Sequence, residues 1–544
     1  MQSTMMNQPL LISSIMAHAT KVYPEMEIVS RLCDEEEGGK VYRYKLKQSA
    51  SRAKKLSNAL LKHGINQGDR VATLAWNNYR HYELYFGVTG IGAIIHTVNP
   101  RLFIEQITYI LNHAEDKLLF VDITFINIIE LMKDDIKHIE KIVVLTGDEH
   151  LPQTTLDNVI SYEAFIEMEE DTIEWPEFDE NIGAILCYTS GTTGNPKGVL
   201  YSHRSTVLHS MSAALPENFN ISSRSSILAV VPMFHVNAWG IPFFSTMLGA
   251  KLVLPGQGLD PKSLYELIDI EQPTIMFGVP TVWLMLLDYL SKTEVSLSSV
   301  DKVIIGGSAA PLSMIKHFKE KHNVIAVHAW GMTEMSPMGT INNLTPEMEA
   351  LPSEECMQKQ LSQGRPAFGV ELKLIDDKGN EILNDGKSRG HLLVRGPWVT
   401  ASYYNTDSDS SFKDGWLVTG DIATLDSEYN LSLVDRAKDV IKSGGEWISS
   451  IDLENAAIGH LGIKECCVIG VKHEKWDERP ILLIVKDNNV NLSEQDVFEF
   501  LAPKIAKWWM PDAVIFVDEL PYTATGKLLK MKLREEYQDY LLVF

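Results

Sequence analysis

The stretch YTSGTTGNPKG, residues 188 to 198, gathers hydroxyls at Thr189, Ser190, Thr192 and Thr193, glycines at Gly191, Gly194 and Gly198, and one cation at Lys197. Glycine lets backbone N–H groups approach a ligand closely, and the hydroxyls add donors. With Lys197 the package suits phosphate oxygens. It departs from the common nucleotide loop, which needs Gly-Lys-Ser/Thr in succession, because Gly198 and Val199 follow the lysine. A flexible Ser/Gly linker is the competing reading, although the fixed Pro196-Lys197 pair and strand-like flanks are unusual in one. Further segments carry chemistry of other kinds. HVNAWG (235–240) offers His235 in a loop, and GGSAAP (306–311) is a small-residue turn. AWGMTE (329–334) sets an aromatic, a hydroxyl and a carboxylate close together, and WLVTGD (416–421) ends in a carboxylate able to accept from two vicinal hydroxyls. Each has an ordinary alternative: Glu334 a solvated acid, Trp330 core, Asp421 and Arg436 surface charge, Lys527 a mobile terminal lysine, His235 a hydrogen-bonded loop residue.

Elements able to position these residues alternate along the chain. Leu46, Ala50, Ala53, Leu56 and Leu60 mark one helix face that Gly64 stops, and RVATLAW from Arg70 reads as a strand. FIEQITYILNHAED and KLLFVD repeat the pattern; KIVVLTG, AKLVLPG, TIMFGVP and KVIIGGSAAP continue it. Such alternation predicts an α/β fold of largely parallel, helix-covered sheets, with ligands beyond the strand carboxyl ends. After about Gly364 short strands (VELKLI, GHLLVRGPW) predict a small β subdomain. A charged, turn-rich segment, DRAKDVIKSGGEWISS, leads into a compact tail with strands (CCVIGV, ILLIVK) and a helix over EQDVFEFLAPKIAKWW. A boundary near Arg436 divides a large domain, 1–435, from a small α+β domain, 436–544.

The 544 residues exceed one small core, and 45% hydrophobic with 22% charged residues describe a globular chain. A net charge of −23 argues against general affinity for nucleic acid or anionic membrane, so a phosphate-bearing ligand requires a local site. Five cysteines lack metal-ligand spacing, and Cys466-Cys467 sits in an apolar run, which predicts reduced, buried thiols and a cytoplasmic setting. No targeting segment is evident. The greasy run from Ile275 is broken by Gly278, Pro280 and Asp288, and reads as strand, turn and core helix rather than a membrane span.

With these segments in this order the whole chain resembles the AMP-forming acyl-CoA synthetases of the adenylate-forming superfamily. VPMFHVNAW, HAWGMTEMSP and IKSGGEWISSIDLEN resemble its fatty acyl-CoA ligases and 3-methylmercaptopropionyl-CoA ligases most. The resemblance implies ATP, Mg²⁺ and CoA, an acyl-adenylate intermediate, and a C-terminal domain that rotates between two half-reactions. It implies that Thr189, Ser190, Gly191, Thr192, Thr193, Gly194 and Lys197 grip the ATP phosphates, and that Thr333 and Glu334, with Thr189, serve the α-phosphate and Mg²⁺. Adenine would lie by Trp330, where many relatives have Tyr, between Gly307, Ser308 and Ala309 and the strand residues His328, Ala329 and Gly331. Asp421 and Arg436 would meet the ribose, Lys527 would be the adenylation lysine, and Lys438 the hinge, where many relatives have Asp. Gly444 and Gly445 would border the pantetheine tunnel, with Lys442 and Trp447 near the adenylate. His235, Trp239, Gly240 and Met335 would be acyl-site residues, Trp239 as a gate or as a wall.

No Arg or Lys in the segments assigned to the acyl pocket suggests a second substrate carboxylate, so a neutral aliphatic acid is expected. A fatty acid is the first reading and 3-methylmercaptopropionate the alternative, since Met335 and Met338 suit alkyl chains and thioethers alike. A non-CoA adenylate-forming enzyme or a nucleotide sensor are rivals of another class. Fatty-acyl relatives suggest a homodimer.

Overall fold

The computed structural model describes residues 1, 3–33, 39–189, 195–406, 409–444, 446–487, 490–522 and 528–542. Among them the strands form four sheets, of nine, seven, five and five strands. In the nine-stranded sheet Glu27–Arg31, Lys251–Leu254, Ser226–Ala229, Ile275–Gly278, Lys302–Ile305 and Ile325–Gly331 run parallel side by side. Antiparallel strands close both edges, Val41–Lys45 at one and Met338–Asn342 then Arg365–Pro366 at the other. The seven-stranded sheet is parallel from Val159–Ser161 to Gly183–Tyr188, with Gly198–Ser202 returning antiparallel beside the last.

These strands are apolar on both faces because both faces are covered. Ile227 and Ala229 point into the core shared by the two large sheets, while Leu228 between them packs under the helices Pro261–Glu271 and Pro280–Thr293. Val71 and Ala72 divide the seven-stranded sheet in the same way. Helix ends follow local chemistry. Leu46–Lys62 buries the face expected of it, and the chain leaves it through Gly64 at φ +77. Asn78 accepts from the His81 amide to cap Tyr79–Gly90.

Glu371–Ile375, Gly390–Arg395, Phe412–Lys413, Trp416–Leu425 and Leu431–Arg436 make the antiparallel β subdomain. Sheet membership changes between Arg436 and Ile441, where the strand Ile441–Ser443 joins the C-terminal sheet. There Cys466 and Cys467 are buried, on opposite faces of Ile463–His473, and burial raises both thiols. The helix expected through 509 stops at Leu501: Ala502 still has helical backbone, but Pro503 has no N–H to continue the ladder, and Lys507–Trp509 forms only a short 3-10 turn. The segment DRAKDVIKSGGEWISS contains more regular structure than its turn-rich composition suggests, namely a strand end and the hairpin Ile441–Ser443 with Glu446–Ile448.

Candidate active site

A cavity of about 600 Å³ opens where the large sheets meet the β subdomain, within the size range of small-molecule sites. Most of its wall comes from residues just beyond strand ends, the expected place in open α/β sheets. Thr189 follows Gly183–Tyr188, Lys197 precedes Gly198–Ser202, Gly306–Ser308 follow Lys302–Ile305, and Thr333 and Glu334 follow Ile325–Gly331. The two ends of the phosphate loop are tied together: the Thr189 amide donates to the Lys197 carbonyl at 2.9 Å and the Lys197 amide to Thr189 Oγ1 at 3.2 Å. Ser190, Gly191, Thr192, Thr193 and Gly194 lie outside the described residues, as do Gly445 and Lys527.

Glu334 is 6% exposed and lines the cavity. One carboxylate oxygen accepts from the Tyr403 hydroxyl at 2.7 Å, and among the described residues no cation pairs with it. A buried carboxylate oriented by a neutral donor, facing a cavity beside the Thr189 hydroxyl, is a hard oxygen donor set that suits Mg²⁺. Tyr403 remains a donor because burial and the neighbouring Glu334 charge push its phenol upward. Its ring also carries the Lys197 ammonium, 4.6 Å from the centroid, and Lys197 is paired with Asp409.

The residues expected to meet adenine and ribose are equally joined. Trp330 is 7% exposed, lines the cavity, and donates from Nε1 to Asp421 Oδ2 at 3.1 Å. Asp421 Oδ1 meets Arg436 Nε at 3.0 Å across the strand pair that places them opposite each other, and Arg436 donates to the Thr419 carbonyl at 3.2 Å. Ala329, Gly331, Gly307 and Ser308 are on the wall, with Ala309 next to them. A Cβ at Gly331 would overlap the Pro337 carbonyl, so the chain can turn here only with glycine. His328 is buried behind the wall, where its Nδ1 meets the Leu361 carbonyl at 3.1 Å and burial lowers its pKa.

His235 and Trp239, expected at the acyl site, line the cavity with Phe219, Val231, Phe234 and Val279. Trp239 is carried by a left-handed turn: Val236, Asn237, Ala238, Trp239 and Gly240 have φ of +48, +55, +47, +59 and +84. Left-handed backbone costs a non-glycine residue roughly 1–2 kcal/mol, so the surroundings must hold it. The Asn237 side-chain oxygen accepts from Cys187 Sγ at 3.6 Å and lies 3.2 Å from Tyr85 Oη, which donates to the Met233 carbonyl at 2.6 Å. The indole then lies against Gly306, where a Cβ would stand 3.0 Å from the Trp239 ring. Gly240 sits under His209 rather than on the wall. Met335 is fully buried behind Trp330 and Gly339, and Met338 and Pro337 take the lining positions instead.

Two lining residues had no signal in the sequence. Tyr403 belongs to no motif, and Arg101 comes from a loop outside the segments assigned to the acyl pocket. The Arg101 guanidinium lies 5.9 Å from the Trp76 ring and 5.8 Å from the Phe234 ring, and burial of that end lowers its pKa. The wall is therefore not free of basic residues. From the C-terminal side Lys438, Asp439 and Leu528 line the cavity. Lys442, Gly444 and Trp447 stand instead on the hairpin that starts at Ile441, with Trp447 edge-on to His391 at 6.3 Å.

Residues 17–404 match the AMP-binding enzyme family and residues 452–527 the AMP-binding enzyme C-terminal domain. The chain is 49% identical over 542 residues to a medium-chain-fatty-acid–CoA ligase of Ectopseudomonas oleovorans, covering 100% of this chain and 98% of that protein. It is 48% identical over 541 residues to a 3-methylmercaptopropionyl-CoA ligase of Ruegeria lacuscaerulensis, covering 99% and 100%. Among solved structures an anthranilate CoA ligase in complex with anthranoyl-AMP superposes over 100% of both chains with a TM-score of 0.86 at 25% identity. A nucleotide-sized cavity at the strand ends, full-length likeness to CoA ligases and both family domains in order lead to one conclusion: the chain belongs to the AMP-binding enzyme family, among its AMP-forming acyl-CoA synthetases.

Proposed function

We propose that this ATP-dependent ligase activates a medium- or long-chain fatty acid as its acyl-CoA. The observation that carries the reading is the acyl wall of Phe219, Val231, Phe234, Val279 and Trp239, which suits an alkyl chain. Arg101, flanked by aromatics and without an acidic partner among the described residues, suits a phosphate of ATP or CoA and a carboxylate alike.

The residues divide the work as follows in this proposal. Lys197, Thr189 and the hydroxyls of Ser190, Thr192 and Thr193 hold the ATP phosphates, with Gly191 and Gly194 admitting them to the backbone. Trp330 and Gly307–Ala309 flank adenine, and Asp421 with Arg436 reads the ribose. Glu334 and Thr189 hold Mg²⁺, which when bound offsets phosphate charge. A carboxylate oxygen of the acid, near His235, attacks the α-phosphorus, and the bond to the bridging oxygen of pyrophosphate breaks. Thr333 and the Lys527 ammonium stabilise charge that grows there. The CoA thiolate then attacks the acyl carbonyl of the adenylate and AMP leaves. Lys438 is the hinge between a domain ending at 435 and one beginning at 436, and its rotation brings Lys442, Gly444, Gly445 and Trp447 to the site for this second step.

A second reading is 3-methylmercaptopropionate, favoured by the 48% likeness to a ligase of that name. CoA-dependent AMP formation at matched subsaturating concentrations of this acid and of saturated acids from short to long decides between them. Highest kcat/KM for octanoate or longer supports the fatty acid and Trp239 as a gate that opens; a large preference for the thioether acid overturns it and makes Trp239 a fixed wall. We further propose a cytoplasmic enzyme, supported by the free cysteines, and a homodimer, which elution as a monomer at micromolar concentration refutes.

A further inference from the structure

We propose that Tyr403 is a positioning residue for the first half-reaction, its hydroxyl fixing the Glu334 carboxylate for Mg²⁺. This rests on the reading of Glu334 given above. Tyr403 lies between the strands Gly390–Arg395 and Phe412–Lys413 of the β subdomain, whereas Glu334 and Lys197 come from the two large sheets. One side chain thus joins the third unit to both others, with its hydroxyl 2.7 Å from Glu334 Oε1 and its ring under Lys197. The backbone on either side is pinned to the same two places. The Thr400 amide donates to the Glu334 carbonyl at 2.8 Å, and the Tyr404 amide to the Gly198 carbonyl at 2.7 Å. Phe412 meets the Tyr403 ring edge-on at 5.4 Å, which sets its plane.

The chemistry favours a phenol here over a stronger donor. An arginine or lysine would neutralise the carboxylate and compete with the metal, whereas a phenol occupies one oxygen, leaves the second open and leaves the charge intact. Groups that orient a metal ligand without touching the metal commonly matter about 10- to 100-fold for metal affinity. Tyr403→Phe keeps the ring, its contact with Phe412 and the face under Lys197, so it isolates the hydroxyl.

The test is calorimetric binding of ATP to the full chain, with Mg²⁺ and with the metal chelated, for wild type, Y403F, E334Q and the double variant. We expect Y403F to weaken binding of the Mg²⁺ complex by roughly 10- to 100-fold while metal-free ATP binds as in wild type. Added to E334Q, Y403F should cause no further loss. Conversion of a synthetic acyl-adenylate with CoA, which involves no pyrophosphate, should continue in Y403F and serves with thermal melting as the folding control. Wild-type affinity for the Mg²⁺ complex in Y403F, beside a clear loss in E334Q, overturns the role of Tyr403 and leaves Glu334 standing. Additive losses in the double variant, or equal damage to both half-reactions with early melting, also overturn it. An E334Q enzyme with unchanged Mg²⁺ dependence removes the reading of Glu334 itself.

Discussion

Asp421 illustrates how much a single carboxylate depends on its neighbours. It is buried with one oxygen on the Trp330 indole N–H and the other on Arg436, so its direction is set before any ribose arrives. A phenylalanine at 330 keeps a flat face for adenine but cannot donate. The expected result for Trp330→Phe is a modest loss on ATP and a smaller one on 2′,3′-dideoxy-ATP. The ratio of kcat/KM between the two nucleotides should narrow by about fivefold, the scale of one hydrogen bond of about 1 kcal/mol. An unchanged ratio would mean that Arg436 alone aims the carboxylate. Tyr at this position would preserve stacking but place its hydroxyl elsewhere, so the indole N–H is a distinct contribution of this chain.

At the scale of elements, the turn 236–240 is the most unusual piece of backbone lining the cavity, four non-glycine residues and a glycine all at positive φ. Ala238 makes no side-chain hydrogen bond, but its methyl is fully buried in the core. Ala238→Gly should relieve about 1–2 kcal/mol of native strain, offset by the roughly 0.4–1 kcal/mol by which glycine favours the unfolded chain and by about 0.8 kcal/mol for the lost buried methyl. The expected outcome is a melting temperature close to that of wild type, because the strain relieved offsets the other two terms; a loss equal to those two terms together would show that the turn is unstrained. This turn could not be anticipated from HVNAWG, in which only Asn237 and Gly240 favour left-handed backbone. Buried parallel strands, by contrast, are continuous apolar runs, so KLLFVD, TIMFGVP and KVIIGG could be placed from their residues alone. The glycine- and hydroxyl-rich segments at their ends were equally plain. Tyr403 and Arg101 were not, because one aromatic and one arginine in loops carry no periodicity; only the folded chain brings them to the cavity. The overlong helix after 494 was a local error, since Pro503 was there to read.

At the scale of the whole molecule, the cavity has walls on both sides of the change in sheet membership after Arg436. The junction mixes polar and apolar contacts: Asp435 accepts from the Ser450 amide at 2.8 Å and hydroxyl at 2.6 Å, and Ile422 and Val434 pack with Val440. Such contacts can hold one arrangement and still be exchanged for another. If Lys438 is the hinge, Lys438→Pro should slow thioester formation from a supplied acyl-adenylate far more than it slows pyrophosphate exchange; equal losses would remove the hinge. Lys527→Ala should do the reverse, slowing adenylation by roughly two to three orders of magnitude with melting unchanged, and exchange at wild-type rates would sink that assignment. The walls proposed for the acid and for the nucleotide come from different elements, Trp239 on its own turn and Trp330 on the strand Ile325–Gly331. The 236–240 turn fixes where residue 239 points, while the size of the side chain there sets how much of the space beside Gly306 and Phe277 is filled. If Trp239 bounds the acyl chain as proposed, a lineage of such enzymes would change its diet by altering one codon, without re-evolving the machinery that spends ATP.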